Sequence, residues 1–423
     1  MSAISGQAIL DQAGRRRVVV TGAGAISPIG NDWPAVFQRL RERRNAVRRI
    51  DEWDIYDGLN TKLAAPARPF ELPPHYNRKT MRGMGRVAVM AVRASEVALE
   101  QAGLLGDPLL KSGRVGVANG SSAGTHSAIG DFGRMLNEHT TAGINATTYI
   151  KMMSHTAPVN IGVFFGLTGR IITTSSACTS GSQGVGSAYE TVRAGKQVAM
   201  LAGGSEQLDA TAAAVFDTLF ATSVRNDEPN ATPRPFDANR DGLVLGEGAC
   251  TLILEDLEHA RARGANIVAE VVGYGTNSDG QHVTQPSAET MAQAMRLALE
   301  DAGLPASAIG YVNAHGTATE HGDIAESRAT AEVFGSKVPF SSLKSYVGHT
   351  LGACGALEAW ASIEMMREGW FSPNLNLTDI DPRCAELDYI VGEGRALQTE
   401  YVMSNNFAFG GINTSLIFRR WRD

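Results

Sequence analysis

The chain has no run of about 18 uninterrupted apolar residues, so its sequence predicts no membrane span. Met1 to Gly14 lack the apolar core of a signal peptide, and residues 1–16 read as a mobile extension ahead of the first strand. Cysteine is scarce. Cys178, Cys250, Cys354 and Cys384 stand far apart and form no Cys-x-x-Cys pair, which argues against a disulfide framework or a zinc site. Reduced thiols and a cytoplasmic location are the default expectation. Charge is also sparse, at 19% of residues where about 25% is usual. With 43% hydrophobic residues, that balance fits a compact α/β body with much internal or subunit-interface surface. The net charge of −6 and pI near 5.9 lack the basic field that a nucleic-acid binder needs.

A dinucleotide loop is missing too. The apolar strand Arg17 to Val20 leads into Thr21-Gly22-Ala23-Gly24, but Ser27 stands where the third glycine belongs and Pro28 follows. No acidic residue closes a second strand about 20 residues on, so the segment reads as a tight turn after a buried strand.

What the sequence does contain is repetition. Ala98-Leu-Glu-Gln-Ala-Gly-Leu104 recurs as Ala298-Leu-Glu-Asp-Ala-Gly-Leu304, each ending a helical run with a glycine stop. Each leads to a β-rich segment ending at glycine, Val115 to Gly120 and Tyr311 to Gly316. Thr173 to Cys178 and Pro339 to Lys344 then read as strand ends, followed by helices of small residues at Ser180 to Ala188 and Gly352 to Ala359. Matched blocks in matched order imply duplication, with α/β halves at 17–264 and 265–423. Helices so poor in bulk suit the middle of the body. Residues 121–169 have no counterpart and read as an insertion, of the size that carries pockets or subunit contacts.

Cys178 lies between a β-branched run and a glycine-rich helix. The positive end of that helix and its free N–H groups favour a thiolate, lower the thiol pKa and offer an oxyanion site. The bland reading is a small core residue. Cys250, Cys354 and Cys384 lack this setting and read as structural. His315 and His349 each sit at a strand end or turn flanked by glycine, at comparable positions of the second half. Three ligands at zinc spacing are not evident, so the sequence predicts no metal. Near the end, Asn405-Asn-Phe-Ala-Phe-Gly-Gly-Ile-Asn413 reads equally as a ligand-approaching turn or an aromatic-anchored one.

Taken together, Val18 to Pro28, Ser175 to Gly181, Arg234 to Gly242, Asn313 to Thr319, Lys344 to His349 and the Phe-Ala-Phe-Gly-Gly turn resemble the elongating β-ketoacyl-acyl-carrier-protein synthases of the thiolase superfamily. The likeness runs from Arg17 to Phe418. It implies a thiolase-like, five-layered αβαβα body and a ping-pong acyl transfer. In that transfer Cys178 takes an acyl chain from the 4'-phosphopantetheine arm of an acyl carrier protein, and a malonyl-carrier then loses carbon dioxide and attacks it. By the same resemblance His315 and His349 bind the enolate oxygen, Lys344 adds positive charge, and Glu358 and Glu326 support them. The N–H groups of Cys178 and Phe409 form the oxyanion hole. Phe409 gates with Phe407 beside it, Thr317, Thr319 and Gly410 contact the arm or substrate, and Arg78, Lys79 and Arg82 dock the carrier. No cofactor beyond the carrier-bound arm is implied, and a homodimer through the first half's sheet edge is expected.

The chain departs from the family pattern in three places. Ala408 and Ile412 replace Gly and Thr in the gate, which stiffens it. Glu320-His321-Gly322-Asp323 places charge near the expected pantetheine entrance, and Gly83 stands where the docking patch often has lysine. A non-catalytic, chain-length-determining partner in a heterodimer is the alternative, although such subunits generally lack the nucleophile. A degradative thiolase would need a second cysteine within Phe407 to Asn413. Fatty-acid elongation is the default pathway. The run around Cys178, with Thr319-Glu-His-Gly-Asp323, is also similar to ketosynthases of aryl-polyene pathways.

Overall fold

In the computed structural model, residues 10, 11 and 13–422 are described. Eleven strands form one sheet: β1 (Val18–Ile26), β2 (Val115–Gly120), β3 (Ile171–Thr173), β4 (Ala199–Glu206), β5 (Gly248–Asp256), β6 (Ala269–Ser278), β7 (Ile309–Asn313), β8 (Pro339–Ser341), β9 (Asp388–Tyr389), β10 (Tyr401–Ala408) and β11 (Ile412–Arg420). Their spatial order is β9-β8-β7-β10-β11-β6-β1-β5-β4-β2-β3. Reading outward from the centre, β1-β5-β4-β2-β3 on one side matches β6-β11-β10-β7-β8 on the other. Both series run antiparallel, antiparallel, parallel, parallel. The two series meet where Val18 to Val20 pair with Val271 to Ala269.

Four helices complete the layers: α1 (Arg86–Gln101), α2 (Ser180–Arg193), α3 (Ala288–Ala302) and α4 (Cys354–Glu368). Helix α1 covers β1 and β5 from outside, and α3 covers β6 and β11. Helices α2 and α4 pack on each other and touch strands of both series, so they form the middle layer of a thiolase-like αβαβα body. Gly181, Gly184 and Gly186 lie on buried faces of α2, where small residues permit the close packing that the composition implied.

The glycines after Val20 do not make a turn. β1 continues to Ile26, and a Cβ at Gly22 or Gly24 would stand 2.3 or 2.1 Å from the carbonyls of Ala98 and Ala94 in α1. Gly273 and Gly275 meet Ala298 and Ala294 of α3 at 2.4 and 2.2 Å in the same way. Close strand-on-helix packing, not chain reversal, explains these residues.

Of the expected N-terminal extension, residues 1–9 and 12 lie outside the described residues. Arg15 and Arg16 are anchored, Arg15 by Asp11 and Asp301 and Arg16 by Asp256. Residues 121–169, the expected insertion, contain helices His126–Glu138, Ala146–Met152 and Thr156–Phe165, the last packed on α1 and β2. Among the described residues no helix is long and apolar enough to cross a membrane.

Candidate active site

Cys178 sits in the turn between β3 and α2, where Ala177 takes the left-handed φ of 52°. That sharp turn points the sulfur toward loops of the second series. The Nε2 of His349 lies 3.0 Å from the Cys178 Sγ, and the His315 and His349 rings meet edge to face at 5.1 Å. All three side chains are buried, at the base of a cavity of about 470 Å³ that opens to solvent.

The tautomers follow from the second nitrogen of each ring. The Lys344 ammonium, which can only donate, lies 3.2 Å from His315 Nδ1. The backbone N–H of Leu351 donates to His349 Nδ1 at 3.3 Å. Both Nδ1 atoms therefore accept, and each neutral ring carries its proton on Nε2. Burial, with Lys344 beside them, holds both histidines well below the usual imidazole pKa. The site thus holds two imidazole N–H donors that stay neutral in the physiological range.

Lys344 has almost no solvent contact, and burial alone favours the neutral amine. Cys354, Glu358 and Glu326 outweigh that and keep it protonated. Its ammonium donates to Glu358 Oε1, while Asn406 Nδ2 donates to Glu358 Oε2 at 2.7 Å. Glu326 accepts the backbone N–H groups of His315 and Gly316, both at 2.7 Å, and so clamps the histidine loop. Burial pushes the Glu326 pKa up to about 8.

The thiol differs from the sequence-based expectation. The backbone N–H groups of Cys178 and Phe409 do point at the sulfur and favour the thiolate, as does Lys344. Burial outweighs them and pushes the thiol up to about 12. Position before a helix is a local property, whereas desolvation depends on everything packed around the sulfur.

The other expected residues separate into two groups. Phe407, Phe409, Thr317, Thr319 and Glu326 line the cavity, with the two threonine hydroxyls 2.9 Å apart. Gly411, not Gly410, forms the wall at the gate; Gly410 is exposed, and its N–H donates to Val283 at 2.8 Å. Arg78, Lys79 and Arg82 are exposed in a turn-rich segment and do not line the cavity. At the entrance, Glu320 is paired with Arg383, and Asp323 is buried, accepting from Ala318 N and Phe236 N at 3.1 and 2.7 Å. Of the charges expected at the entrance, one is neutralised and another is interior.

Cys354, which the sequence reads as structural, lies beside the nucleophile. It opens α4, its thiol donates to the Cys178 carbonyl at 3.2 Å, and its sulfur lies within 4.8 Å of ligand atoms of His315 and Glu358. Its place on the matched small-residue helix was the available signal. Cys178, His315 and His349 likewise bring three ligand atoms within 4.8 Å of one another, which zinc-type spacing did not foretell. The adjacent Lys344 ammonium opposes a divalent cation there. Two further participants were not named from the sequence, although Asn406 lies in the Asn405 to Asn413 run. Glu206 accepts from Ser122 N at 2.8 Å and Gly352 N at 3.0 Å, tying the end of β2 to the segment after His349. Asn406 holds Glu358.

Comparison with known proteins places this arrangement. Residues 15–260 match the family model for the β-ketoacyl synthase N-terminal domain, and residues 268–378 match that for its C-terminal domain. The 3-oxoacyl-[acyl-carrier-protein] synthase 2 of Synechocystis sp. is 36% identical over 96% of this chain and 99% of its own. The crystal structure of a β-ketoacyl synthase from Burkholderia phymatum STM815 superposes with a TM-score of 0.95 at 61% identity, covering 96% of this chain and all of that one. The ishigamide ketosynthase/chain length factor gives 0.87 at 32% identity, again over 96% of this chain and all of its own.

Proposed function

This acyltransferase chain belongs to the β-ketoacyl synthase family, and from that premise we propose that it condenses a Cys178-bound acyl chain with a malonyl unit carried on acyl carrier protein. The observation that carries the proposal is the convergence of the Cys178 sulfur with two imidazole N–H donors beside a buried ammonium.

In the first half-reaction the sulfur attacks the acyl thioester of one carrier. The carrier's thiol leaves with the proton that Cys178 gives up, and the N–H groups of Cys178 and Phe409 hold the tetrahedral oxyanion. In the second, the malonyl carboxylate leaves as carbon dioxide and its electron pair forms an enolate. The Nε2–H groups of His315 and His349 donate to the enolate oxygen, and Lys344 keeps His315 in the donating tautomer. The carbanion carbon then bonds to the acyl carbonyl carbon, the sulfur leaves, and one proton restores the thiol. Glu358 and Asn406 hold Lys344, and Glu326 holds the histidine loop. Phe409 and Phe407 form the gate, and Thr317 and Thr319 hold the arm. Arg78, Lys79 and Arg82 attract the carrier from outside the cavity.

The halves at 17–264 and 265–423 are the duplicated units. The terminal strand β3, with half-exposed Ile171 and the neighbouring exposed Val163, supplies the subunit contact. For the substrate, fatty-acid elongation is the primary reading and conjugated aryl-polyenoyl chains the second. The latter rests on the sequence around Cys178 and Thr319 to Asp323. The test is condensation by the purified protein, comparing saturated and aryl-polyenoyl carriers, with mass spectrometry of Cys178. Full condensation by Cys178→Ala would overturn the assignment. An obligate unlike partner, with no acyl adduct on Cys178, would favour the chain-length-factor alternative.

A further inference from the structure

One stretch of this acidic chain carries the opposite charge. Six of the eleven residues from Arg39 to Arg49 are arginine, in a protein of net charge −6. Surface ion pairs account for part of the run. Arg49 is held by Asp51 and Asp54, and Arg43 by Glu393 at 3.0 Å. Arg44 reaches Glu42 only at 3.7 Å. Among the described residues, Arg39, Arg48 and Arg68 have no ion pair.

These side chains wall two adjoining hollows. Arg39, Arg43, Arg44 and Arg48 line one of about 460 Å³, with no acidic residue in its wall. Arg39 and Arg44 also line the second, of about 450 Å³, where Arg68 joins them. The acids of that second wall are already engaged. Asp32 accepts the Ala35 N–H at 2.9 Å, and Glu42 accepts from Gln38 Nε2 at 2.7 Å. Arg39 is half-buried and its Nε has no hydrogen-bond partner among the described residues. Burial, Arg68 and Arg44 all work against its charge. The negative end of helix Trp33–Arg41 offsets roughly half an elementary charge. The repulsion that is left is relieved when an anion binds.

The first hollow is also firmly built. Buried Asn45 donates through Nδ2 to the Thr232 carbonyl at 2.9 Å. Ala46 N–H donates to the Tyr346 carbonyl at 2.9 Å, and Leu375 N–H to Ser345 Oγ at 3.1 Å. Its walls are thereby fixed to the helical turn Lys344–Val347. We propose that the two hollows bind a soluble, polyphosphorylated small molecule through Arg39, Arg44, Arg48 and Arg68, at a site that shares no lining residue with the cavity above Cys178. Arginine rather than lysine favours that class, because the planar fork matches phosphate oxygens in pairs. Two hollows with Arg39 and Arg44 in common suit linked phosphates better than a single one.

The test titrates the full chain with inorganic tripolyphosphate and with inorganic phosphate by calorimetry, at about 0.15 M ionic strength. Arg44→Gln/Arg48→Gln removes two exposed cations of the site, and Arg114→Gln/Lys196→Gln removes two exposed cations elsewhere. Tripolyphosphate is expected to bind saturably and at least about tenfold tighter than phosphate. The first pair weakens it at least about tenfold, and the second less than about twofold. Absence of saturable binding overturns the proposal, as does equal weakening by both pairs, which would reduce the effect to bulk charge. Vesicles of phosphatidylglycerol or a DNA duplex that bind through Arg44 and Arg48 while tripolyphosphate does not would overturn it in favour of a membrane or nucleic-acid surface. Binding is read directly, so the outcome does not depend on whether Cys178 condenses acyl chains.

Discussion

Lys344 Nζ stands 3.2 Å from the Nδ1 of His315, and this one contact decides which of the ring's nitrogens faces the reacting carbon. Without it, the proton of a neutral imidazole is free to move to Nδ1, leaving a lone pair where the enolate needs a donor.

Lys344→Met is therefore expected to lower condensation by at least about 100-fold while an acyl adduct on Cys178 still forms. It also leaves Glu358 buried without its cation, a change that costs about 3–5 kcal/mol. Thermal unfolding of Lys344→Met, Glu358→Leu and the double variant checks the pairing. The double variant is expected to be more stable than either single one. Additive losses would show that the two groups are not coupled.

The neutral histidines make a kinetic prediction. Both are depressed well below the ordinary imidazole value, so neither gains a proton as pH falls from 8 to 6. The decarboxylation rate, measured apart from acyl loading, is expected to show no inflection near pH 6.5. For stability the sign is also set. The unfolded histidines take up protons below about pH 6.5 while the folded ones do not, so their contribution declines as pH falls through that value.

Glu206 has the opposite sign. Burial raises its pKa to about 7, above that of an exposed glutamate, despite hydrogen bonds from Ser122 and Gly352. Its contribution to stability is present in acid and is lost as pH rises toward 7. Relative to wild type, the Tm of Glu206→Gln is expected to climb between pH 5 and 7 and to level off above about 7. A constant offset across that range would show that the carboxyl is ionised throughout.

Gly24→Ala and Gly275→Ala probe the matched strand-on-helix contacts. Each added methyl meets a helix carbonyl at close to 2 Å, so the helix has to move. Losses above about 2 kcal/mol are expected for both in denaturant unfolding, against less than 1 kcal/mol for Gly392→Asn. A Cβ at exposed Gly392 meets nothing within 4 Å, and asparagine tolerates its φ of 68°.

Much of the architecture was legible because it depends on local pattern. Small residues marked α2 and α4 as buried, and the block repeated about 200 residues apart marked the outer helices α1 and α3. The motifs around Cys178, His315, Lys344 and His349 also carried the family resemblance. The glycines after Val20 misled, since a glycine required by a neighbouring helix reads in one dimension like a glycine required by a turn.

The order of residues was enough to mark the paired series of elements and the side chains chemically capable of acyl transfer. Folding in three dimensions set the rest: Cys354 against Cys178, Glu206 and Asn406 in support of the site, both imidazole protons on Nε2, and a thiol pKa raised by burial. Most of those properties depend on desolvation and on contacts between residues tens to hundreds of positions apart, which arise only when the chain folds around the site; even the local Leu351 to His349 contact needs the folded turn to aim the N–H at the ring.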